Sequence, residues 1–110
     1  MLLLHRTKIT DDGLRHLGSL SSLELLGLDD TRIAGQGLRH LATLPNLREL
    51  GLSGTKLTDN ALQYLQRFHQ LKRLEIGYAG ISGPGAAALR KALPQCSVET
   101  ESRRAICLPW

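Results

Sequence analysis

Chemistry in this chain would have to come from a few recurring side chains. Lys8, Arg32 and Lys56 recur every 24 residues, and a stack of like cations could hold phosphates. No aromatics interleave them and no nucleic-acid reading motif is present, so the plainer reading is a solvated rim partly balanced by Asp11, Asp12 and Asp59. Asp29 and Asp30 are adjacent carboxylates, but a cation site needs more oxygen donors than this pair supplies. His16 and His40 share the 24-residue spacing, and Asp12 stands four residues before His16. Two ligands do not complete a metal site, and both histidines read as surface residues. Cys96 falls in an inward, leucine-like slot where an inert buried thiol is expected, and Cys107 has no histidine or aspartate close in sequence. The spacing of the two cysteines matches no zinc motif; a bridge between them is open, with two reduced thiols preferred. No nucleophile elbow or phosphate loop occurs, and Gly83-Pro84-Gly85 is a turn. The expectation is a non-enzyme with no cofactor and no metal.

The elements that must position these residues follow from one period. Leu2, Leu26, Leu50, Leu74 and Val98 fall 24 residues apart, and Leu4, Leu28, Leu52 and Ile76 form a second column. Thr7, Thr31 and Thr55 form a third, and Ile9, Ile33, Leu57 and Ile81 a fourth, the last beat coming at once in phase. Self-similarity at this period means stacked supersecondary units, none able to bury its apolar face alone. Within a unit, Leu26 and Leu28 alternate with Gly27 and Asp29 as in a short strand; Leu38, Leu41 and Leu44 then recur every three residues, as in a short helix or 3₁₀ segment. The fourth unit drifts by about one residue to Leu93 and Cys96. Thr10, Thr58 and Ser82 occupy helix N-cap positions; Ala34 breaks that column, so the second helix should be the least well capped.

The segments Leu23-Glu-Leu-Leu26-Gly-Leu28-Asp-Asp-Thr31-Arg-Ile33 and Leu47-Arg-Glu-Leu50-Gly-Leu52-Ser-Gly-Thr55-Lys-Leu57 resemble the leucine-rich repeat signature L-x-x-L-x-L-x-x-N/C-x-L, over roughly residues 1–98. Threonine stands where asparagine or cysteine is usual, and its hydroxyl is expected to bond a neighbouring turn in a ladder that Ala79 ends. Ile9-Thr-Asp-Asp-Gly-Leu14 and Leu57-Thr-Asp-Asn-Ala-Leu62 look like the I-T-D-x-G-L variant of bacterial arrays and F-box-type ubiquitin-ligase receptors. The resemblance implies an α/β fold: a right-handed solenoid with a parallel concave sheet and short convex helices, used for protein recognition. Four repeats are expected over 1–97 (1–25, 26–49, 50–73 and 74–97), followed by a strand and flap over 98–110.

Strand alternation assigns outward columns through Leu25, Glu49, Arg73 and Ser97; through Gly27, Gly51, Glu75 and Glu99; and through His5, Asp29, Ser53, Gly77 and Glu101. Arg6, Asp30, Gly54 and Tyr78 stand beside them. These positions hold six carboxylates and two cations, a balance of −4 on a chain of formal charge +4, so the basic surplus lies elsewhere. A protein-binding face is therefore expected at His5, Asp29, Asp30, Ser53, Arg73, Glu75 and Tyr78, with a partner that could be basic. Glu49 and Arg73 should form a cross-strand pair. The rival readings are a substrate-recognition fragment of an F-box-type receptor and nucleic-acid binding by the basic rim.

Aromatics make up only 4% of the 110 residues, so leucine must fill the core. The opening apolar run stops at Leu4, too short for a signal peptide, and nothing approaches the ~20 apolar residues of a membrane span. A cytoplasmic location is expected. Leu2, Leu4 and Ile9 have no preceding repeat to cover them, so a fragment of a longer array, or self-association through that end, is expected. The tail Ile106-Cys-Leu-Pro-Trp110 is read as a flap over the last repeat's core.

Overall fold

The computed structural model describes residues 1–100. Five short strands, β1 (Leu2–Leu3), β2 (Leu25–Gly27), β3 (Glu49–Gly51), β4 (Arg73–Glu75) and β5 (Ser97–Glu99), form one parallel sheet in sequence order. Every pairing joins residues 24 apart: Leu2 to Leu26, Leu26 to Leu50, Leu50 to Leu74, and Leu74 to Val98. The period of the sequence is thus the register of the sheet. Beyond the strands the ladder continues through backbone bonds from Leu28 N to Gly51 O, Asp30 N to Ser53 O, Leu52 N to Glu75 O and Gly54 N to Gly77 O.

Helices connect the strands: α1 (Asp11–Leu17), a 3₁₀ turn (Gln36–His40), a second 3₁₀ turn (Asp59–Ala61) running into α2 (Leu62–Leu65), and α3 (Gly83–Ala92). Each packs on its predecessor in sequence, and their inward leucines meet the strand leucines. Leu14, Leu26, Leu28, Ile33, Leu50 and Leu52 are wholly buried, whereas Leu2, Leu4 and Ile9 at the β1 end are only partly covered. Among the described residues no helix is long and apolar enough to cross a membrane. The expected flap over 101–110, including Cys107 and Trp110, lies outside the described residues.

Two expectations about turn chemistry are corrected. The threonine hydroxyls do not bridge neighbouring turns. Thr7, Thr31 and Thr55 each donate to a carbonyl three residues back in their own turn, Leu4, Leu28 and Leu52, at 2.7 Å each. A hydroxyl on a tight turn finds its own chain first. The second helical segment is also not the poorly tied one, because its donors are met from the turn before. Asp11 accepts from Ala34 N at 2.9 Å, Gly35 N at 3.0 Å and Gly37 N at 2.8 Å. Thr58 and Ser82 cap as expected, accepting from Asn60 N and Gly85 N, but Thr10 makes no side-chain cap bond.

Asp59 repeats the role of Asp11, accepting from Ser82 N at 2.9 Å and Ser82 Oγ at 2.7 Å. A second set of ties runs the other way along the array. Asn46 donates to Ser21 O, Gln70 to Leu44 O and Gln95 to His69 O, each reaching a carbonyl of the preceding turn. These satisfy carbonyls just past the helices that would otherwise need water. The bonds from Ser82 hold the Asp59 carboxyl below its ordinary 3.8. A lowered folded value means stabilisation that is full above 3.8 and fades as pH falls through the folded value. Comparing urea midpoints of the parent and Asp59→Asn from pH 7 downward should show a gap at neutral pH that closes only below about pH 4. A gap that persists unchanged into strong acid would remove the carboxylate from this role.

Candidate protein-binding face

The face of the sheet away from the helices is built on three-residue strands, so each turn contributes a few outward side chains and then a sharp corner. In register along it stand Leu25, Glu49, Arg73 and Ser97, and beside them Gly27, Gly51, Glu75 and Glu99. Glu49 lies opposite Arg73 as expected, but the guanidinium is engaged elsewhere. Arg73 Nε sits 2.6 Å from Glu99, and its terminal nitrogen 3.3 Å from Glu75. Partial burial disfavours the Arg73 charge, yet Glu99, Glu75 and Glu49 together outweigh that and raise its pKa. Its side chain is 31% exposed, so it serves first to neutralise its own face.

Three of the residues expected to contact a partner are buried. Glu75 is wholly covered, and Asp29 and Ser53 are each only 3% exposed. Glu75 shares Arg73 with Glu99, and Ser53 Oγ accepts from Gly77 N at 3.1 Å in the next turn. With strands about 4.8 Å apart, side chains of adjacent turns flank each other closely. Alternation gives a residue's direction and not its cover. Burial makes Ser53 a tie between turns and leaves Asp29 and Glu75 little surface for an incoming partner. His5, in the same column, is half-buried.

The accessible groups lie at the corner that ends each strand. Arg6, Asp30, Gly54 and Tyr78 occupy one position in successive turns, and all four have left-handed backbones, with φ of 59°, 57°, 71° and 57°. A left-handed corner favours glycine, and a bulky residue there is strained. Only the third turn uses glycine. Arg6, Asp30 and Tyr78 are exposed; Tyr78, at 84%, is among the most exposed large side chains of the described residues. Arg6 lies 4.0 Å from Asp30. At Gly54 a Cβ would collide with Asp30 Oδ1, so the neighbouring carboxylate already fills that space.

On the helical side, the carboxylate tie that Asp11 and Asp59 provide is missing at the equivalent residue, Gly35. There φ is 129° and a Cβ would lie 2.8 Å from that of Ala61. An open groove of about 560 Å³ lies at this junction, lined by Lys56, Thr58, Asn60, Gln63 and Tyr64 among others. It brings in one member of the basic column, Lys56, and not the other two. Cys96 is buried as expected, and burial pushes its thiol up to about 11.

Sequence reasoning missed the ties made by Asp11, Asp59, Asn46, Gln70 and Gln95. Their signal was present in the offsets: Asn46 and Gln70 are one period apart, and Gln95 follows the one-residue drift of the fourth unit.

No family model matches the sequence, and no curated protein is significantly similar to it. Among solved structures the chain is similar to a leucine-rich repeat protein of Leptospira interrogans, at 23% identity and a TM-score of 0.38. The likeness covers 77% of this chain and 33% of that one, so the chain spans about a third of that protein's length.

Proposed function

We propose that this chain is a non-catalytic protein-binding module of the leucine-rich repeat type, a right-handed solenoid of 24-residue units that recognises a basic partner on its sheet face. The carrying observation is the exposed left-handed corner row, above all Tyr78. A large aromatic kept 84% exposed on a strained backbone carries a cost that folding alone does not recover. Tyrosine in such a place is a common interface anchor. The leading contacts are Asp30 and Tyr78, with Glu49 and Glu99 supplying negative charge beside them. Glu75 acts from below through its ion pair with Arg73, which sets the local balance. The chain acts by presenting a surface, and no bond-making step is assigned to it.

A pull-down with immobilised chain tests this reading by comparing faces. Asp30→Lys/Glu49→Lys should lose the partner, whereas Lys8→Glu/Arg32→Glu should keep it. Both doubles change exposed or half-buried charges, so folding should be preserved, and circular dichroism checks that. Loss of the partner only in the second double would transfer the function to the basic rim.

A further inference from the structure

Lys8, Arg32 and Lys56 occupy one position in three successive turns, and all three are exposed. Lys56 N donates to Ile33 O at 3.0 Å, which ties the second and third turns at this level. The carboxylates that the sequence sets against this column are committed elsewhere. Asp11 accepts three backbone N–H groups of the next turn, and Asp59 accepts from Ser82. Asp12 borders a shallow hollow with Arg39 and His40. Among the described residues no ion pair includes Lys8, Arg32 or Lys56. Like charges one strand spacing apart repel, and an anionic chain laid along them removes that cost.

The open groove of about 560 Å³ takes its lining from the same three turns. Lys56 belongs to its wall, and Lys8 and Arg32 precede the lining residues Asp11 and Ala34 by three and two residues. Ala34 and Ala61 contribute only methyl groups, whereas the side-chain amides of Gln36 and Asn60 each carry donors and an acceptor. That pairing of donor and acceptor complements a peptide backbone.

We propose that the basic column and the groove together receive an acidic polypeptide segment in extended form. Its carboxylates lie on Lys8, Arg32 and Lys56, and its backbone lies against Gln36 and Asn60. This surface is independent of the sheet-face reading, and the chain's basic surplus off that face draws an acidic segment to it. An extended segment places alternate side chains about 6.7 Å apart on one side, a spacing that long cationic side chains can follow. A nucleic acid fits less well. The aromatic in the lining is Tyr64, which is half-buried, so bases find no row of rings to stack on.

The test is fluorescence anisotropy at low salt, with the full 110-residue chain titrated into a fluorescein-labelled peptide of alternating Glu and Ser. A Gln–Ser peptide of equal length and an oligothymidylate are the comparison probes. The Glu–Ser peptide should bind saturably, and the Gln–Ser peptide should not. Lys8→Ala/Arg32→Ala/Lys56→Ala should weaken binding by on the order of 10-fold, since one exposed ion pair is worth a factor of about 1.5 to 5. The same variant should melt no lower than the parent, because it loses like-charge repulsion, which separates lost binding from lost folding. Arg15→Ala/Arg39→Ala/Arg67→Ala removes equal charge from exposed positions outside the column and should leave binding within about 2-fold. Gln36→Ala/Asn60→Ala keeps the charge and should weaken binding by about 3-fold through lost hydrogen bonds. Equal weakening by the two triple variants would reduce the effect to net charge and overturn the column. An unchanged affinity for Gln36→Ala/Asn60→Ala would overturn the groove's part. Tighter binding of the oligothymidylate would overturn the choice of a polypeptide. Self-association of the chain in sedimentation, lost in the column variant, would make the occupant a second copy and overturn a separate partner. None of these outcomes touches Asp30 or Glu49, so the sheet face stands or falls by its own pull-down.

Discussion

Leu50→Ala should lower the melting temperature of this chain by on the order of 15 °C, among the largest effects expected of a single truncation in the described residues. Leu50 is wholly buried in β3, with Leu26 and Leu74 in register on either side. Backbone ladders hold both neighbouring turns, so the cavity left by the missing atoms cannot close by a local shift. Truncations of this kind cost about 2–5 kcal/mol, against a total stability of roughly 5–15 kcal/mol for a domain. For a chain of this length each kcal/mol corresponds to roughly 4–8 °C. Leu2→Ala is the comparison: Leu2 fills the same column but is only partly covered, so about 1 kcal/mol is expected. Thermal melts of the two variants give the answer. Equal shifts would mean that the column is not packed as a stack.

Asp11→Ala should be the most damaging change at a half-buried polar position of the helical side, costing about 2–3 kcal/mol. One carboxylate receives three backbone N–H groups of the following turn, and two of those bonds are partly buried. A lost helix cap costs about 0.5–2 kcal/mol, and a charged acceptor serving several donors stands at or above the top of that range. Asp11→Asn should recover part of the loss, since an amide oxygen still accepts. Asp12→Ala, one residue along, should change little. Denaturant midpoints of the three variants separate these outcomes. A shift for Asp11→Ala no larger than that for Asp12→Ala would show that water replaces the carboxylate without cost.

Much of the architecture was legible because it repeats. A column such as Leu26, Leu50 and Leu74 announces both the strand and its register, since one number fixes which residues become neighbours. The core residues were legible for the same reason, down to the one-residue drift that carries Leu93 and Cys96 inward. What the sequence hid was cover and reach. Alternation placed Glu75 and Asp29 on the outward side of the pleat, but it could not say that both would be enclosed. Threonine columns suggested bonds between turns, yet their hydroxyls bond within their own turn, and aspartates and amides from elsewhere make the connections. The left-handed corner was hidden as well: the period put Arg6, Asp30, Gly54 and Tyr78 in one column, but three of the four are not glycine, so their residue types gave no sign of a positive φ.

The uniform register has a genetic consequence. Because every strand pairs at an offset of 24, a copying error that inserts or removes one whole unit inside the array keeps each leucine on its column. It also leaves an aspartate or amide within reach of the adjoining turn wherever the copied unit carries one. An error one codon longer or shorter reverses the pleat and turns the core face outward. Selection on such a gene therefore sieves length changes by arithmetic before it weighs any residue. The array can grow or shrink by whole copies, and the corner residues Arg6, Asp30, Gly54 and Tyr78 are then free to diverge as separate letters of what the surface reads.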